Sequence, residues 1–476
     1  MSLSGWGQFV LLMVLLAGVA IEPARAADHV NVIIILADDL GYGDLACFGH
    51  PTHRTPHLDR MAKEGARLTS FYAPVPYCGP TRASLMTGRY PTRCRMLRNP
   101  VPAADIPGKD KSGDLAGLPT TEITLGQAFQ KAAYKTIAIG KWHLGHQPQF
   151  LPTRRGFDEY LGILYSNDMH PVELIEGEKK IEFPIDQATL TKRYTERALK
   201  FIDANKERPF FLYLPHAMPH KPLAASADFY GKGEKNARAL YKAVVEELDW
   251  SVGQVLAKLK ELKLDEKTLV IFTSDNGPWY AGATGGLRGM KGQTYDGGLR
   301  VPLIARWPGK IPAGHVNHEP AIMMDLFATS LKAAGVEAPK DRVIDGKDIM
   351  PLLTDARAKS PHELLFFCRG DNLHAVRGGE YKLHVNRPGP ARDKVWSPDE
   401  EWIDRRAPDG ERLIAPKEQG HPSQFPGLLT GDEVKPGVLF NLVSDAGEQH
   451  DIAGKYPDIV KRLKEAADGF EEAMKK

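Results

Sequence analysis

Four short runs of nearly continuous apolar residues punctuate the chain, at 30–36, 135–139, 209–214 and 268–272, and each ends abruptly in polar side chains. They are rich in β-branched and aromatic residues and apolar at successive rather than alternate positions. That is the pattern of strands buried on both faces. Between them the periodicity becomes helical. Residues 123–134 follow a Pro-Thr-Thr-Glu start and 190–205 are amphipathic. Across 237–262, Leu240, Val244, Leu248, Val252, Val255 and Leu259 recur at close to helical spacing. Strands alternating with helices predict an α/β fold with a large, mainly parallel sheet flanked by helices.

The texture changes toward the C-terminus. Residues 374–385 read as a hairpin turning at Gly378-Gly379, 386–436 are rich in Pro, Gly and charge, and 459–474 form a last helix. The pattern predicts a smaller C-terminal domain with an antiparallel sheet over 366–476, after a larger domain at 27–365. In parallel sheets ligands bind at the carboxyl ends of the strands. After the four runs come Asp38 and Asp39, then Lys141 and His143, then His216 and His220, and last Asp275 and Asn276. Chemically capable groups at all four ends point to one shared site.

The first residues change the picture of where the protein works. An apolar run from Phe9 to Ala20 is followed by Ala24-Arg25-Ala26, the form of a signal peptide over residues 1–26. The run is short of the roughly 20 residues that span a bilayer, so export to the periplasm or medium is expected, without stable membrane insertion. Formal net charge is +2, which gives no argument for nucleic acid. The chain has four cysteines, Cys47, Cys78, Cys94 and Cys368, too few for a disulfide-stapled scaffold. If Cys78 is converted chemically, three remain and at most one bridge can form.

The strongest local signal is Cys78-Gly-Pro-Thr-Arg-Ala-Ser-Leu-Met-Thr-Gly-Arg89. Pro80 stands where a helix begins and Gly88 where it stops. Cys78 would lie at the helix N-terminus, which favours an anion, with Arg82 about one turn on as a bidentate oxyanion donor. Asp38-Asp39 alone could be a solvated turn, and Ser274-Asp275-Asn276-Gly277 an Asx turn in which Gly277 supplies an unusual backbone angle. Together, three carboxylates and an amide oxygen at neighbouring strand ends form a hard-oxygen cage, suited to Ca²⁺ or Mg²⁺ and without a soft ligand for zinc.

Cys-x-Pro-x-Arg, a small-residue helix and Thr-Gly-Arg resemble the signature of the type I, formylglycine-dependent sulfatases. The resemblance extends from Ile34-Ile-Leu-Ala-Asp-Asp-Leu-Gly-Tyr-Gly-Asp44 to Leu439-Phe-Asn-Leu442. Through Tyr160-Leu-Gly-Ile-Leu-Tyr-Ser-Asn167 it looks closest to the arylsulfatase A and N-acetylgalactosamine-6-sulfatase group. It implies an alkaline-phosphatase-like sandwich, and a Cys78 oxidised to formylglycine by a formylglycine-generating enzyme, so that a hydrated aldehyde attacks sulfur. It places a metal, usually calcium, on Asp38, Asp39, Asp275, Asn276 and residue 78. Lys141 and the Lys291 of Lys-Gly-x-Thr-Tyr-x-Gly-Gly would bind sulfate, and His143 would orient the nucleophile. His220, in His-x-Pro, would protonate the leaving oxygen, with His216 a structural or supporting residue.

The reaction so implied is hydrolysis of sulfate monoesters, with sulfated carbohydrates the substrates expected at the level of the family. Three other readings stay open on sequence: a phosphonate or phosphodiester hydrolase on the same scaffold, a non-catalytic binder of sulfated glycans, and a plain Cys78 thiolate hydrolase. Specificity is expected from 167–171, from 280–290 and from 386–436, with His170 a candidate sugar contact.

Overall fold

The computed structural model describes residues 29–102, 117–231, 237–279, 282–389 and 431–475, together with the strands at 401–403 and 413–416. The expected signal peptide and most of the proline-rich stretch lie outside the described residues. Among the described residues no helix is long and apolar enough to cross a membrane.

The large sheet is built from β1 (Asn31–Ala37), β2 (Ala66–Tyr72), β3 (Lys135–Lys141), β4 (Glu159–Ile163), β5 (Leu174–Glu176), β6 (Lys179–Glu182), β7 (Phe210–Pro215), β8 (Thr268–Ser274), β9 (Arg300–Arg306), β10 (His315–Asn317) and β11 (Ala321–Ile322). Its order is β10-β2-β9-β8-β1-β7-β3-β4-β5-β6, with β11 also on β2. The four apolar runs are the four adjacent strands β8, β1, β7 and β3. With β4 they form a parallel block, while β9 and β5 run antiparallel to their neighbours.

Strand β1 shows why such runs are apolar throughout. Ile33 and Ile35 enter one core, with Phe201 and Ile202 of the helix Leu190–Ala204 and Val244, Leu248 and Val252 of the helix Ala237–Glu261. Val32, Ile34 and Leu36 enter the opposite core, with Leu85, Phe129 and Phe327. Each fully buried side chain of this size contributes roughly 1.5–3 kcal/mol relative to exposure, so both faces favour apolar residues along the middle of the strand.

A second sheet, of order β12-β13-β14-β17, is antiparallel. Its strands are β12 (Leu364–Arg369), β13 (Asn372–Gly378), β14 (Tyr381–His384) and β17 (Val438–Asn441), while β15 (Glu401–Ile403) and β16 (Leu413–Pro416) pair separately. A third core joins it to the helix Pro457–Lys475 through Leu463 and Phe470, and to the large sheet through Tyr72.

Two local expectations shift. The hairpin turns at Gly379-Glu380 rather than Gly378-Gly379, because Gly378 pairs with Tyr381 and Gly379 takes the positive φ of 58°. The helix expected from 123 starts at Leu125, where Thr124 Oγ accepts from the Gln127 N–H and the Gln127 side chain accepts from the Thr124 N–H. That capping box outweighs the earlier Pro-Thr-Thr-Glu. All four cysteines are free.

Candidate active site

The parallel register assembles the acids. Ala37 on β1 pairs with Ser274 on β8, which brings Asp38 and Asp39 beside Asp275 and Asn276 just beyond the strand ends. The Asp39 N–H donates to Asp275 Oδ1 at 3.1 Å, the Leu40 N–H to Ser274 Oγ at 2.9 Å, and Asn276 Nδ2 to Asp39 Oδ1 at 2.7 Å. Asp39 adopts a left-handed φ of 63°, a strained conformation of the kind that gathers at functional sites. Gly277 does not supply an unusual backbone angle. It is required by close approach, since a Cβ there would lie 1.9 Å from Gly297 O.

Facing these acids is the first residue of the helix Cys78–Thr87, buried along its whole length and closed by Gly88 at φ 69°. The helix starts two residues before Pro80. Cys78 Sγ lies 3.2 Å from Asp38 Oδ1 and 3.7 Å from Asp39 Oδ1, and Lys291 Nζ is 3.3 Å from the sulfur. Arg82, on the inner face, donates through Nε to Asp275 Oδ2 at 3.0 Å and through Nη1 to Lys141 O at 2.6 Å.

Lys141, the last residue of β3, reaches Asp38 and also Ser166 Oγ at 3.0 Å. The preceding Gly140 has φ 128°, and a Cβ there would lie 1.8 Å from Pro215 O, so only glycine lets β3 pass β7 at this point. His143, with φ 59°, is fully buried, and neither ring nitrogen has a hydrogen-bond partner. Lys291 Nζ bonds Asp39 Oδ2 at 2.7 Å.

Beyond β7 the two histidines separate. His220 Nε2 is 3.6 Å from Asp39 Oδ2, and its Nδ1 meets Asn167 Oδ1 at 3.0 Å and Lys221 O at 2.5 Å. His216 instead meets Ser251 Oγ at 3.2 Å and the ring of Tyr194. The structure thus gathers Asp38, Asp39, Cys78, Arg82, Lys141, His220, Asp275, Asn276 and Lys291, with His143 in their electrostatic range, and leaves His216 outside.

Ser166, which contacts Lys141, is not singled out from sequence for a role, while Asn167, which contacts His220, and Asp168, 3.5 Å from Lys221 Nζ, belong to the 167–171 segment expected to set specificity. They follow β4, so the strand-end rule, extended to a fifth strand, would have found them. A cavity of about 390 Å³ opens beside Ser166, walled by Tyr165, His146, Pro171, Val172 and Glu173. The half-buried His170 precedes Pro171 at its edge.

Buried charge sets the electrostatics. Three carboxylates oppose three cations, Arg82, Lys141 and Lys291, all at 8% exposure or less. Burial opposes ionisation of Asp38, yet Lys141, His220 and Arg82 hold it well below the usual carboxylate range. Burial and the neighbouring Asp38 push Asp275 up to about 7. Burial and then Lys291 lower His220 to about 4. For Cys78, burial followed by Asp275 and Asp38 raises the thiol well above its ordinary range.

The donor set fits a hard divalent cation. Ligand atoms of Asp38, Asp39, Cys78 and Asp275 lie within 4.8 Å of one another, and the buried Asn276 Oδ1 has no hydrogen-bond partner. Oxygen donors crowded in this way suit Ca²⁺ or Mg²⁺.

The comparisons agree with this geometry. Residues 30–336 match the model of the sulfatase family and 360–476 that of the C-terminal region of aryl-sulfatase. The N-acetylgalactosamine-6-sulfatase of Canis lupus familiaris is 40% identical over 412 residues, covering 80% of this chain and 76% of that protein. Arylsulfatase A of Homo sapiens is 36% identical over 499 residues, covering 96% and 89%. The solved PsFucS1 sulfatase from Pseudoalteromonas sp. is 28% identical with a TM-score of 0.75, covering 94% of this chain and 91% of that one. The large, mainly parallel sheet with its separate antiparallel sheet is accordingly an alkaline-phosphatase-like fold, and the chain belongs to the sulfatase family as a sulfuric ester hydrolase.

Proposed function

We propose that this enzyme desulfates carbohydrate sulfate monoesters, using formylglycine at position 78 and one calcium ion held by Asp38, Asp39, Asp275, Asn276 and residue 78. The observation that carries this reading is the pair of orphaned groups around Cys78: Asn276 Oδ1 and both nitrogens of His143. Buried polar atoms without partners are rare and costly, by about 1–3 kcal/mol each. Both orphans gain partners if an ion fills the oxygen cage and the Sγ position is taken by the hydroxyls of a hydrated aldehyde. The high thiol pKa argues against a plain thiolate nucleophile.

The cation would supply two positive charges and Lewis-acid polarisation to the oxygens it holds. The hydrate would supply one hydroxyl to attack sulfur and a second whose deprotonation expels sulfate, which a serine or cysteine lacks. Charge balance then explains the cations. Arg82, Lys141 and Lys291 neutralise three carboxylates, so a divalent ion leaves an excess of two positive charges for a sulfuryl group gaining negative charge.

Lys141 and Lys291 flank residue 78 and hold the sulfuryl oxygens, while Arg82 fixes Asp275 and the turn after β3. His143 orients the attacking hydroxyl. At His220 the acceptors Asn167 Oδ1 and Lys221 O keep Nδ1 protonated, so Nε2 faces the site as the nitrogen that takes up a second proton from solvent and passes it to the departing alcohol. Burial and Lys291 oppose that second proton, while Asp39 and Asp168 favour it.

The sugar beyond the ester would reach the cavity beside Ser166, past His170. The sugar class is drawn from the relatives named above. In this reading the chain is exported after loss of residues 1–26, is matured by a formylglycine-generating enzyme, and works in the periplasm or medium with a catalytic part at 27–365 and a smaller part at 366–476.

Mass spectrometry of the peptide containing residue 78, from active enzyme, tests the proposal. An aldehyde that forms a hydrazone is expected, and an intact thiol in fully active enzyme overturns it. Rates on aryl sulfates and aryl phosphonates, measured side by side, separate a sulfatase from a phosphonate hydrolase. Binding of a sulfated glycan without any release of its sulfate would leave a glycan binder.

A further inference from the structure

The loop that carries Lys291 is gripped from two sides. Toward the large sheet, the Lys291 N–H donates to Pro278 O at 2.9 Å and the Gly292 N–H to Pro76 O at 3.0 Å, next to the segments bearing Asn276 and Cys78. From the C-terminal side come more contacts. Arg288 Nη1 donates to Glu448 O at 2.7 Å and Asp432 O at 3.1 Å, and Arg369 Nε to Gly292 O at 3.2 Å. The Thr294 N–H donates to Pro388 O at 2.8 Å and the Asp296 N–H to Glu448 Oε2 at 2.6 Å.

Behind the loop lies a second cluster of buried charge. Lys382 Nζ sits 2.9 Å from Asp296 Oδ1 and 3.0 Å from Glu448 Oε1, and His384 Nε2 is 2.9 Å from the same Glu448 oxygen. Tyr72 donates its hydroxyl to Asp296 Oδ2 at 2.7 Å. Lys382, His384, Asp296 and Glu448 are all fully buried. Burying such a cluster is often no more stabilising than burying apolar residues of the same volume, so stability alone is a weak reason for its presence. Glu448 also holds a left-handed φ of 51°, as Asp39 and His143 do. Strain of that kind needs surroundings that over-determine it.

We propose that Lys382 and Glu448 are positioning residues for sulfate-ester hydrolysis. Through Asp296 and the backbone of 288–296 they hold Lys291 Nζ between Asp39 and residue 78, so the C-terminal sheet completes the active site without touching substrate. The inference rests on the sulfate-binding role given to Lys291 above.

A double-mutant cycle separates this role from simple stabilisation. Glu448→Gln keeps the side-chain shape and removes the charge. In the otherwise native enzyme it is expected to lower kcat/KM for an aryl sulfate by on the order of tenfold. On a Lys291→Ala background the same change should cost less than about twofold, because the group it positions is gone. The cycle is also read from the Kd of inorganic sulfate, which needs no turnover. Arg288→Gln, which removes a different grip on the same loop, gives a second cycle should Glu448→Gln fail to fold.

Equal losses in both backgrounds overturn the proposal while leaving the role of Lys291 intact. Native activity in Lys291→Ala alone overturns that role first, and the positioning proposal falls with it.

Discussion

Two clusters of buried charge lie on either side of the Lys291 loop, and they are finished differently. Around Lys382 each carboxylate oxygen has a donor: Asp296 receives Lys382 and Tyr72, and Glu448 receives Lys382, His384 and the Asp296 N–H. Around Cys78 three carboxylates crowd together, Asp275 is driven toward its neutral form, and Asn276 Oδ1 and both His143 nitrogens have no hydrogen-bond partner. In the first cluster every carboxylate oxygen is taken and only His384 Nδ1 lacks a partner, so no acid is left to bind a cation. The second has capacity left over, and capacity is what a ligand uses.

The sharpest way to break this contrast is Cys78→Ala. Turnover of an aryl sulfate should fall to background while the melting temperature stays within a few degrees, since one sulfur is lost from a site short of partners. Native turnover would end the proposed mechanism. His220→Ala should cost about 10²–10⁴-fold on a sulfated sugar, whose alkoxide needs a proton, and much less on nitrophenyl sulfate, whose phenolate leaves unaided. Equal losses on both substrates would remove His220 from the leaving-group side.

On the closed side, Lys382→Met strands two buried carboxylates and should cost about 3–5 kcal/mol of stability, read by denaturant unfolding. An unchanged midpoint would mean that the cluster is not held as described.

The smallest effect concerns pH. The folded-state pKa of Asp275, about 7, is above its unfolded value, so its contribution to stability is present at low pH. In chelator-treated enzyme that contribution is lost as pH rises from about 4 through 7. Asp44 and Asp249, each also pushed up to about 7 by burial, add slopes of the same sign. Asp275→Asn should therefore flatten part of the pH dependence of the melting temperature, and abolish activity. Calcium restored to the native enzyme should flatten it as well, by favouring the ionised acid. A slope untouched by either change would count against the cage.

What was legible in sequence was whatever burial writes into a contiguous stretch. Strands β8, β1, β7 and β3 pack between two cores, so their central positions are apolar, and their ends lead to Asp275, Asp38, His220 and Lys141. Strand β4 is short, opens on Glu159 and contains Gly162, which lies against the backbone of Gly140. It carries no such run, so Ser166 has no assigned role and Asn167 and Asp168 read only as part of a specificity loop. The Lys382 cluster was hidden for a different reason. Asp296, Lys382 and Glu448 are far apart in sequence and sit in polar surroundings, where a charged residue reads as solvated. Only the packing of the two sheets shows that they are buried.

The burial of Cys78 also sets a timetable. The side chain is fully covered in the folded protein, at the start of a helix with no exposed residue, so no second enzyme can reach it there. On the reading proposed above, oxidation has to occur while the chain is still open. Residues 78–82 are made long before Asp275, Asn276 and Lys291, the groups that later close over them, and domains tend to fold as they emerge. Maturation is then a race between the modifying enzyme and the collapse of the large sheet, and a slower-folding variant would be more completely converted.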